Sequence, residues 1–309
     1  MTSNPIEISN VSKSYGEIQA IRGITLAVAQ GQMFGLIGHN GAGKSTLFKL
    51  MLGLVGASSG EIRVHGALIG GPQAREMRRR IGYLPENFVT YDNLSGIEVL
   101  RLFADLKKVP RQACADALAR VGLTEAARRR VSTYSKGMRQ RLGLAQVLLG
   151  NPDLIFLDEP TNGLDPQGIH DFYKILREVQ ARGATVIITS HILAEMQDRV
   201  DHLLILRSGQ IAAQGTMTEL RSQVVLPSLI EATVRAGHGA RVGAALAHLA
   251  GLELRIDDDC VRISCQSGHK IALLGALAAL PDSVLDIVIQ EPSLEDLFLG
   301  YGDMHVQSH

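Results

Sequence analysis

The chain has no tryptophan, and aromatic residues make up only 4% of its 309 residues. It also has no excess of one charge. Lys plus Arg and Asp plus Glu each number 31, so no overall basic field favours nucleic acid. Cysteine is scarce: Cys114, Cys260 and Cys265 are too few and too scattered for a disulfide framework. Reduced thiols in a cytosolic protein are the plain reading. The opening Met-Thr-Ser-Asn-Pro-Ile-Glu-Ile-Ser-Asn lacks the basic and apolar regions of a secretion signal. No apolar run reaches the ~18–20 residues that span a bilayer. Ile271 to Leu280 is about half that length and stops at Pro281. A role at a membrane therefore requires a partner to hold the chain there.

What is present suits a folded protein. Apolar residues make up 46% and charged residues 20%, which excludes disordered, collagen-like and coiled-coil chains. The length fits one large domain or two modest ones. The zero net charge conceals a split: residues 1–218 hold 25 basic and 19 acidic side chains, and residues 219–309 hold 6 and 12.

Ile6–Ile8 and Ile24–Val28 read as edge or half-buried strands. Met33–Ile37 runs into a glycine-rich turn followed by a helix over Gly43–Leu52. Arg139–Leu149 reads as a helix, Leu154–Leu157 as a buried strand, Pro166–Arg182 as a helix and Thr185–Thr189 as another buried strand. Such alternation predicts α/β architecture with a largely parallel sheet. Pro85 to Tyr134 has no strong strand and reads as a helical insert. Beyond about Gly215 the pattern becomes β-α-β-β-α-β, a small ferredoxin-like α+β unit. Its strands are Leu229–Val234, Glu253–Ile256, Cys260–Ser264 and Val284–Ile289; its helices are Ala240–Ala250 and Lys270–Leu280. Pro292–Asp296 opens a last short helix, with Ser293 as N-cap, and the tail beyond Gly302 frays.

Gly38-His39-Asn40-Gly41-Ala42-Gly43-Lys44-Ser45-Thr46 fits the Walker A pattern. Glycines let successive backbone N–H groups face phosphate oxygens, and the helix that follows adds its positive end. Lys44 is placed to reach the β- and γ-phosphates, and the Ser45 hydroxyl to ligate Mg2+. In Leu154-Ile155-Phe156-Leu157-Asp158-Glu159, four apolar residues bury a strand and two carboxylates emerge at its end. Asp158 would hold magnesium through water, and Glu159 would polarise the attacking water.

Between these motifs lies Tyr134-Ser135-Lys136-Gly137-Met138-Arg139-Gln140-Arg141, which resembles the signature motif of ATP-binding cassette (ABC) ATPases. Asn162-Gly163-Leu164-Asp165 is similar to that family's D-loop, Ser190-His191 to its switch histidine, and Tyr15-Gly16 to the aromatic that stacks on adenine. Six motifs in the family's order cover roughly residues 5–220. The resemblance implies a P-loop ABC cassette over residues 1–220 with a helical subdomain over about 85–135. An α+β accessory domain over 221–302 and a tail over 303–309 follow.

It also implies ATP hydrolysis, with ATP and Mg2+ as cofactors, by a homodimer. Ser135 and Gly137 of one cassette would meet the γ-phosphate bound by the other. Glu159 would be the general base, His191 would align phosphate and water, and Asp165 would link the two sites. Two positions depart from the family. Lys136 replaces a glycine and either adds a cation near the phosphate or faces solvent. Glu86 stands where the family usually has Gln; its carboxylate either ligates magnesium or slows hydrolysis by added negative charge.

Arg78-Arg79-Arg80 and Arg128-Arg129-Arg130 lack interleaved aromatics and read as solvated helix faces rather than a nucleic-acid site. Asp257-Asp258-Asp259 beside Cys260 reads as an acidic turn between strands. His269, His305 and His309 lack ligand spacing. The amphipathic stretch around Asn87–Leu106 is explained by core packing, although in the family this region receives a coupling helix.

The family resemblance implies a peripheral protein at the cytoplasmic face of the inner membrane, driving a separate integral membrane permease. Gly82–Asn87, Ser135–Gln146 and Pro292–Leu297 are similar to the NosF-type ATPases of copper-site maturation in nitrous oxide reductase. That would add periplasmic maturation proteins beyond the permease. The alternative is the ATPase of a bacterial drug or peptide exporter. The rival class is a non-transport cassette acting on ribosomes or DNA. Its members carry two cassettes or a long coiled-coil insertion, and neither is found here.

Overall fold

A computed structural model describes residues 4–222, 228–247, 249, 251–265 and 267–290. The chain divides into two compact units, Met1–Met217 and Thr218–His309.

The first unit is built on a six-stranded sheet. Its order is Gln210–Gly215, His202–Arg207, Met33–Ile37, Thr185–Ser190, Leu154–Leu157 and Ile81–Leu84. All neighbours are parallel except the first pair. Every residue of Met33–Ile37, Leu154–Leu157 and Thr185–Ser190 is buried. This is why these strands read as continuous apolar runs rather than alternating ones.

A second, antiparallel sheet pairs Ile6–Tyr15 with Ile18–Val28 on one side and Ser59–Val64 on the other. The first two strands extend well beyond the apolar stretches that announce them. In Ser59–Val64 only Ile62 and Val64 point inward, an alternation too short to mark a strand in the sequence. The helix Lys44–Met51 packs Leu47, Phe48, Leu50 and Met51 into a core shared by both sheets. Phe48 meets Phe156 edge-on, ring centroids 5.3 Å apart. Truncating such a ring to Ala costs about 3–5 kcal/mol.

The amino end of the central strand is fixed by Asp201. Its carboxylate accepts from the Met33 amide (2.8 Å) and from Arg177 Nη1 (2.8 Å), and Gln180 Nε2 donates to the same carboxylate. Burial opposes ionisation of Asp201, but these donors outweigh it and hold the carboxyl below the usual aspartate range.

The insert holds the helices Gly96–Lys107 and Ala113–Arg120 and a 3-10 turn over Val131–Thr133. Ser95 opens the first helix, with its amide and hydroxyl both donating to Glu98 Oε2 (2.8 and 2.6 Å). At the other end, the Lys107 ammonium donates to the carbonyls of Gln146, Val147 and Leu149 at 3.2–3.3 Å. It thereby caps the helix Lys136–Leu148.

Arg78 and Arg79 close the helix Ala74–Arg79, and Arg80 pairs with Asp153 (Nε–Oδ2 2.7 Å). Arg128, Arg129 and Arg130 are exposed but lie in a turn, a bend and an isolated β-bridge to Ser95, not on a helix face. Gly122, at φ +70°, ends the preceding helix before they are reached.

The second unit has the predicted β-α-β-β-α-β order. Its sheet runs Leu252–Ile256, Cys260–Cys265, Ser228–Val234, Val284–Gln290, antiparallel throughout. Helices Gly239–Leu246 and Lys270–Ala278 bury Val242, Leu246, Leu273 and Leu277 with the sheet's Ile230, Val234, Val261 and Ile263. Both stop short of the expected ends. Asp257–Asp259 form the turn between two strands, with Asp257 Oδ2 accepting from Arg262 Nη1 at 2.9 Å. The predicted short helix at Pro292–Asp296 and the tail lie outside the described residues. Among the described residues, no helix is long and apolar enough to cross a membrane.

Candidate nucleotide-binding and catalytic site

At the carboxyl end of Met33–Ile37, the chain turns through the glycine-rich loop into Lys44–Met51. Gly41 and Gly43 have φ of +84° and +108°, conformations that side chains resist. A Cβ at Gly38 would sit 2.6 Å from the Leu206 carbonyl oxygen. The loop walls a cleft of about 320 Å³, with Asn40, Gly41, Gly43, Lys44, Ser45 and Thr46 on one side. Ala20, His39, Glu86, Glu159, Asn162 and His191 also line it.

Lys44 is buried and folds back on the loop, its ammonium donating to the Gly38 and His39 carbonyls. It also stands 3.8 Å from Glu159 Oε1. Burial pushes the ammonium below the ordinary lysine range, against the pull of Glu159, Asp158 and Glu86.

Asp158 and Glu159 leave the sheet at the end of Leu154–Leu157. Glu159 is buried and adopts φ +47°, rare for a side-chain-bearing residue. His191 Nδ1 lies 2.7 Å from Glu159 Oε2. The Thr189 hydroxyl donates to Asp158 Oδ1 (2.7 Å) and accepts from the Glu159 amide (2.8 Å). Burial pushes the Asp158 carboxyl up, and the Thr189 hydrogen bond opposes that rise.

A family model for ABC transporters matches residues 21–162. The linearmycin resistance ATP-binding protein LnrL of Bacillus subtilis (strain 168) is 34% identical over 308 residues, 96% of this chain and 97% of that protein. The daunorubicin resistance ATP-binding protein DrrA3 of Streptomyces coeruleorubidus is 33% identical over 307 residues, 97% of this chain and 96% of its own. A solved ATP-binding subunit of an ABC transporter is 33% identical, covers 71% of this chain and 92% of its own, and superposes with a TM-score of 0.65.

The chain belongs to the ABC transporter ATP-binding proteins. It is an ATPase of the ABC cassette fold.

Not every residue assigned from the ABC motifs meets in the cleft. Asp158 is not among the residues that line the cleft; half-buried, it shares the Thr189 hydroxyl with the Glu159 amide. Gly38 contributes its carbonyl to Lys44. Ala42 donates its amide to the His39 carbonyl (3.1 Å) and accepts from Gly209 N (2.9 Å), so its backbone is engaged within the protein. Tyr15 does not line the cleft: its ring is 47% exposed, with Lys13 Nζ 5.0 Å above it.

Ser135 and Gly137 begin the helix Lys136–Leu148, also away from the cleft, and the Ser135 hydroxyl accepts from the Met138 amide (3.2 Å). Asp165 caps the helix Pro166–Ala181, accepting from Gly168 N at 3.0 Å. Lys136 lies across the D-loop of its own chain: a Cβ on Gly163 would come within 2.5 Å of Lys136 Cδ. Gln140 Nε2 donates to the Pro160 carbonyl at 2.8 Å, directly after Glu159. Glu86, exposed overall, does enter the cleft wall.

Thr189 stands outside every motif of the sequence, and Asn162 and Gln140 belong to the D-loop and signature motifs without an individual role there. For Thr189 the available signal was a hydroxyl following the aliphatic run Val186–Ile188 in a buried strand.

Proposed function

We propose that this ATPase powers the export of antibiotic-like compounds. It would drive a separate integral membrane permease by ATP-dependent homodimerisation at the cytoplasmic face of the membrane. The observation that carries this reading is the alignment with two drug-resistance ATP-binding proteins over 96–97% of the chain, past the cassette and through the accessory unit. The narrower NosF-type reading, with copper-site maturation and periplasmic partners, has no counterpart in those relatives. The exporter reading takes its place.

The cleft chemistry supports the assigned roles. Phosphoryl transfer to water needs positioning and charge neutralisation more than covalent chemistry. Lys44 and the loop amides would hold the β- and γ-phosphates. The Ser45 hydroxyl, Glu86 and Asp158 are hard oxygen donors of the kind Mg2+ takes, so the residues present fit that ion. When bound, it neutralises phosphate charge. Glu159 would accept a proton from the attacking water as general base. His191, hydrogen-bonded to the same carboxylate, would orient base and γ-phosphate. Ser135 and Gly137, displayed away from their own cleft, are free to complete the site of a second copy. Asp165 and Tyr15 would act at the dimer contact and at the adenine.

The test is co-expression of the chain with its genetically adjacent membrane protein in a drug-sensitive host, together with purification of the Glu159→Gln variant from detergent-solubilised membranes with ATP and magnesium. Resistance that depends on Glu159 and recovery of a multi-span membrane protein support the proposal. Recovery of nitrous oxide reductase maturation factors would restore the copper reading. Ribosomes or DNA without a membrane protein would overturn the transporter role.

A further inference from the structure

Thr189 occupies a place where an aliphatic residue would be the default. It is fully buried in Thr185–Ser190, between Ile188 and Ser190, and its strand runs parallel to Leu154–Leu157 with Leu157 opposite Ile188. That register sets Thr189 beside the point where Asp158 and Glu159 leave the neighbouring strand. A hydroxyl has one proton to give and lone pairs to accept with. Here the proton goes to Asp158 Oδ1 at 2.7 Å, and a lone pair receives the Glu159 amide at 2.8 Å.

Both groups would otherwise be costly. The Glu159 amide is a buried donor, and a buried donor left unpaired keeps the full penalty of its desolvation. Glu159 also sits at φ +47°, a conformation that persists only where its surroundings enforce it. Two bonds to one side chain, on either side of a single peptide unit, fix the rotation of that peptide. They thereby fix the direction in which the Glu159 carboxylate leaves the backbone toward His191 (2.7 Å) and Lys44 (3.8 Å). They also commit one Asp158 oxygen and leave Oδ2 for another ligand.

We propose that Thr189 is a positioning residue of the ATPase reaction: its hydroxyl clips Asp158 and Glu159 together and aims both carboxylates. The inference rests on the assignment of Glu159 as general base and of Asp158 to the magnesium side.

Thr189→Val keeps the shape of the side chain and removes the hydroxyl; Thr189→Ser keeps the hydroxyl. Both are compared with Glu159→Gln in the full-length chain, and rates are expressed per nucleotide-binding site counted by titration with a fluorescent ATP analogue, so that misfolded protein does not enter. For Thr189→Val, kcat is expected to fall roughly 10- to 100-fold, about 1.4–2.7 kcal/mol of barrier, while KM for ATP changes less than about threefold. Thr189→Ser should recover kcat to within about threefold of the parent.

A second readout avoids turnover: in the Glu159→Gln background, the gain in ATP affinity on adding magnesium should shrink when Thr189→Val is added. A Thr189→Val protein with parental kcat, or a Thr189→Ser protein as slow as Thr189→Val, overturns the proposal. Should Thr189→Val yield no binding-competent protein, Thr189→Ala takes its place under the same criteria. Parental turnover by Glu159→Gln would instead refute the assignment of the base itself.

Discussion

His191 Nδ1 and Lys44 Nζ approach opposite oxygens of Glu159, at 2.7 Å from Oε2 and 3.8 Å from Oε1. The carboxylate is therefore flanked on both sides, in a buried setting where each contact counts for more than in water. Glu159→Gln preserves the shape of this arrangement and removes the proton acceptor. Turnover should drop at least roughly 100-fold, the scale of general-base catalysis, while an ATP-bound dimer accumulates on size exclusion. A variant that hydrolyses ATP at the parental rate would disprove the base assignment.

His191→Ala leaves Glu159 Oε2 without its neighbour but leaves the phosphate loop intact. We expect kcat to decline by about two orders of magnitude with ATP affinity altered only a few-fold, measured by steady-state kinetics beside equilibrium nucleotide titration. A matching loss of affinity would place His191 among the binding groups instead.

Gly163 has φ +85° and lies under the Lys136 side chain. Gly163→Ala meets both obstacles and should destabilise the first unit by about 1–3 kcal/mol in urea unfolding. Adding Lys136→Ala should recover only part of that loss, because the backbone strain remains. Full recovery would mean that the side-chain clash was the whole cost.

Lys107 supplies the pH-dependent case. Burial lowers its ammonium to about 8, against an ordinary value of about 10.4 in the unfolded chain. Between those values the unfolded chain binds a proton that the folded chain does not, so stability rises with pH across that window. Chemical unfolding at pH 7 through 10 should show wild type gaining on Lys107→Met as pH increases. A constant difference would place the folded-state value near the unfolded one.

The phosphate loop and the strand ending in Asp158 and Glu159 were legible in the sequence because their chemistry is local. A run of glycines followed by Lys44 and Ser45 needs no distant partner to be understood. Glu86 was ambiguous, since nothing near it in sequence shows that its loop returns to the cleft. Thr189 and Asp201 were opaque for a related reason: each acts through hydrogen bonds to a neighbouring strand, and the pairing register that brings them there is not a pattern of residues. The capping role of Lys107 is equally hidden, because the carbonyls of Gln146, Val147 and Leu149 that receive it lie about forty residues away in sequence. The β-α-β-β-α-β order of the second unit, by contrast, was readable in the sequence, because its two central strands, Ser228–Val234 and Cys260–Cys265, each alternate between a buried and a more exposed face.

The Asp201 anchor divides the central strand into an end that is held and an end that reacts. Met33 is pinned by Asp201 at the amino rim, while Lys44, Glu159 and His191 gather at the carboxyl rim. Five residues at about 3.3 Å each put these rims ~17 Å apart. A strand buried along its whole length transmits displacement like a stiff rod, so slack introduced at its fastened end is felt at its tip. Damage to the phosphate grip can therefore begin at a side chain that never comes near a phosphate.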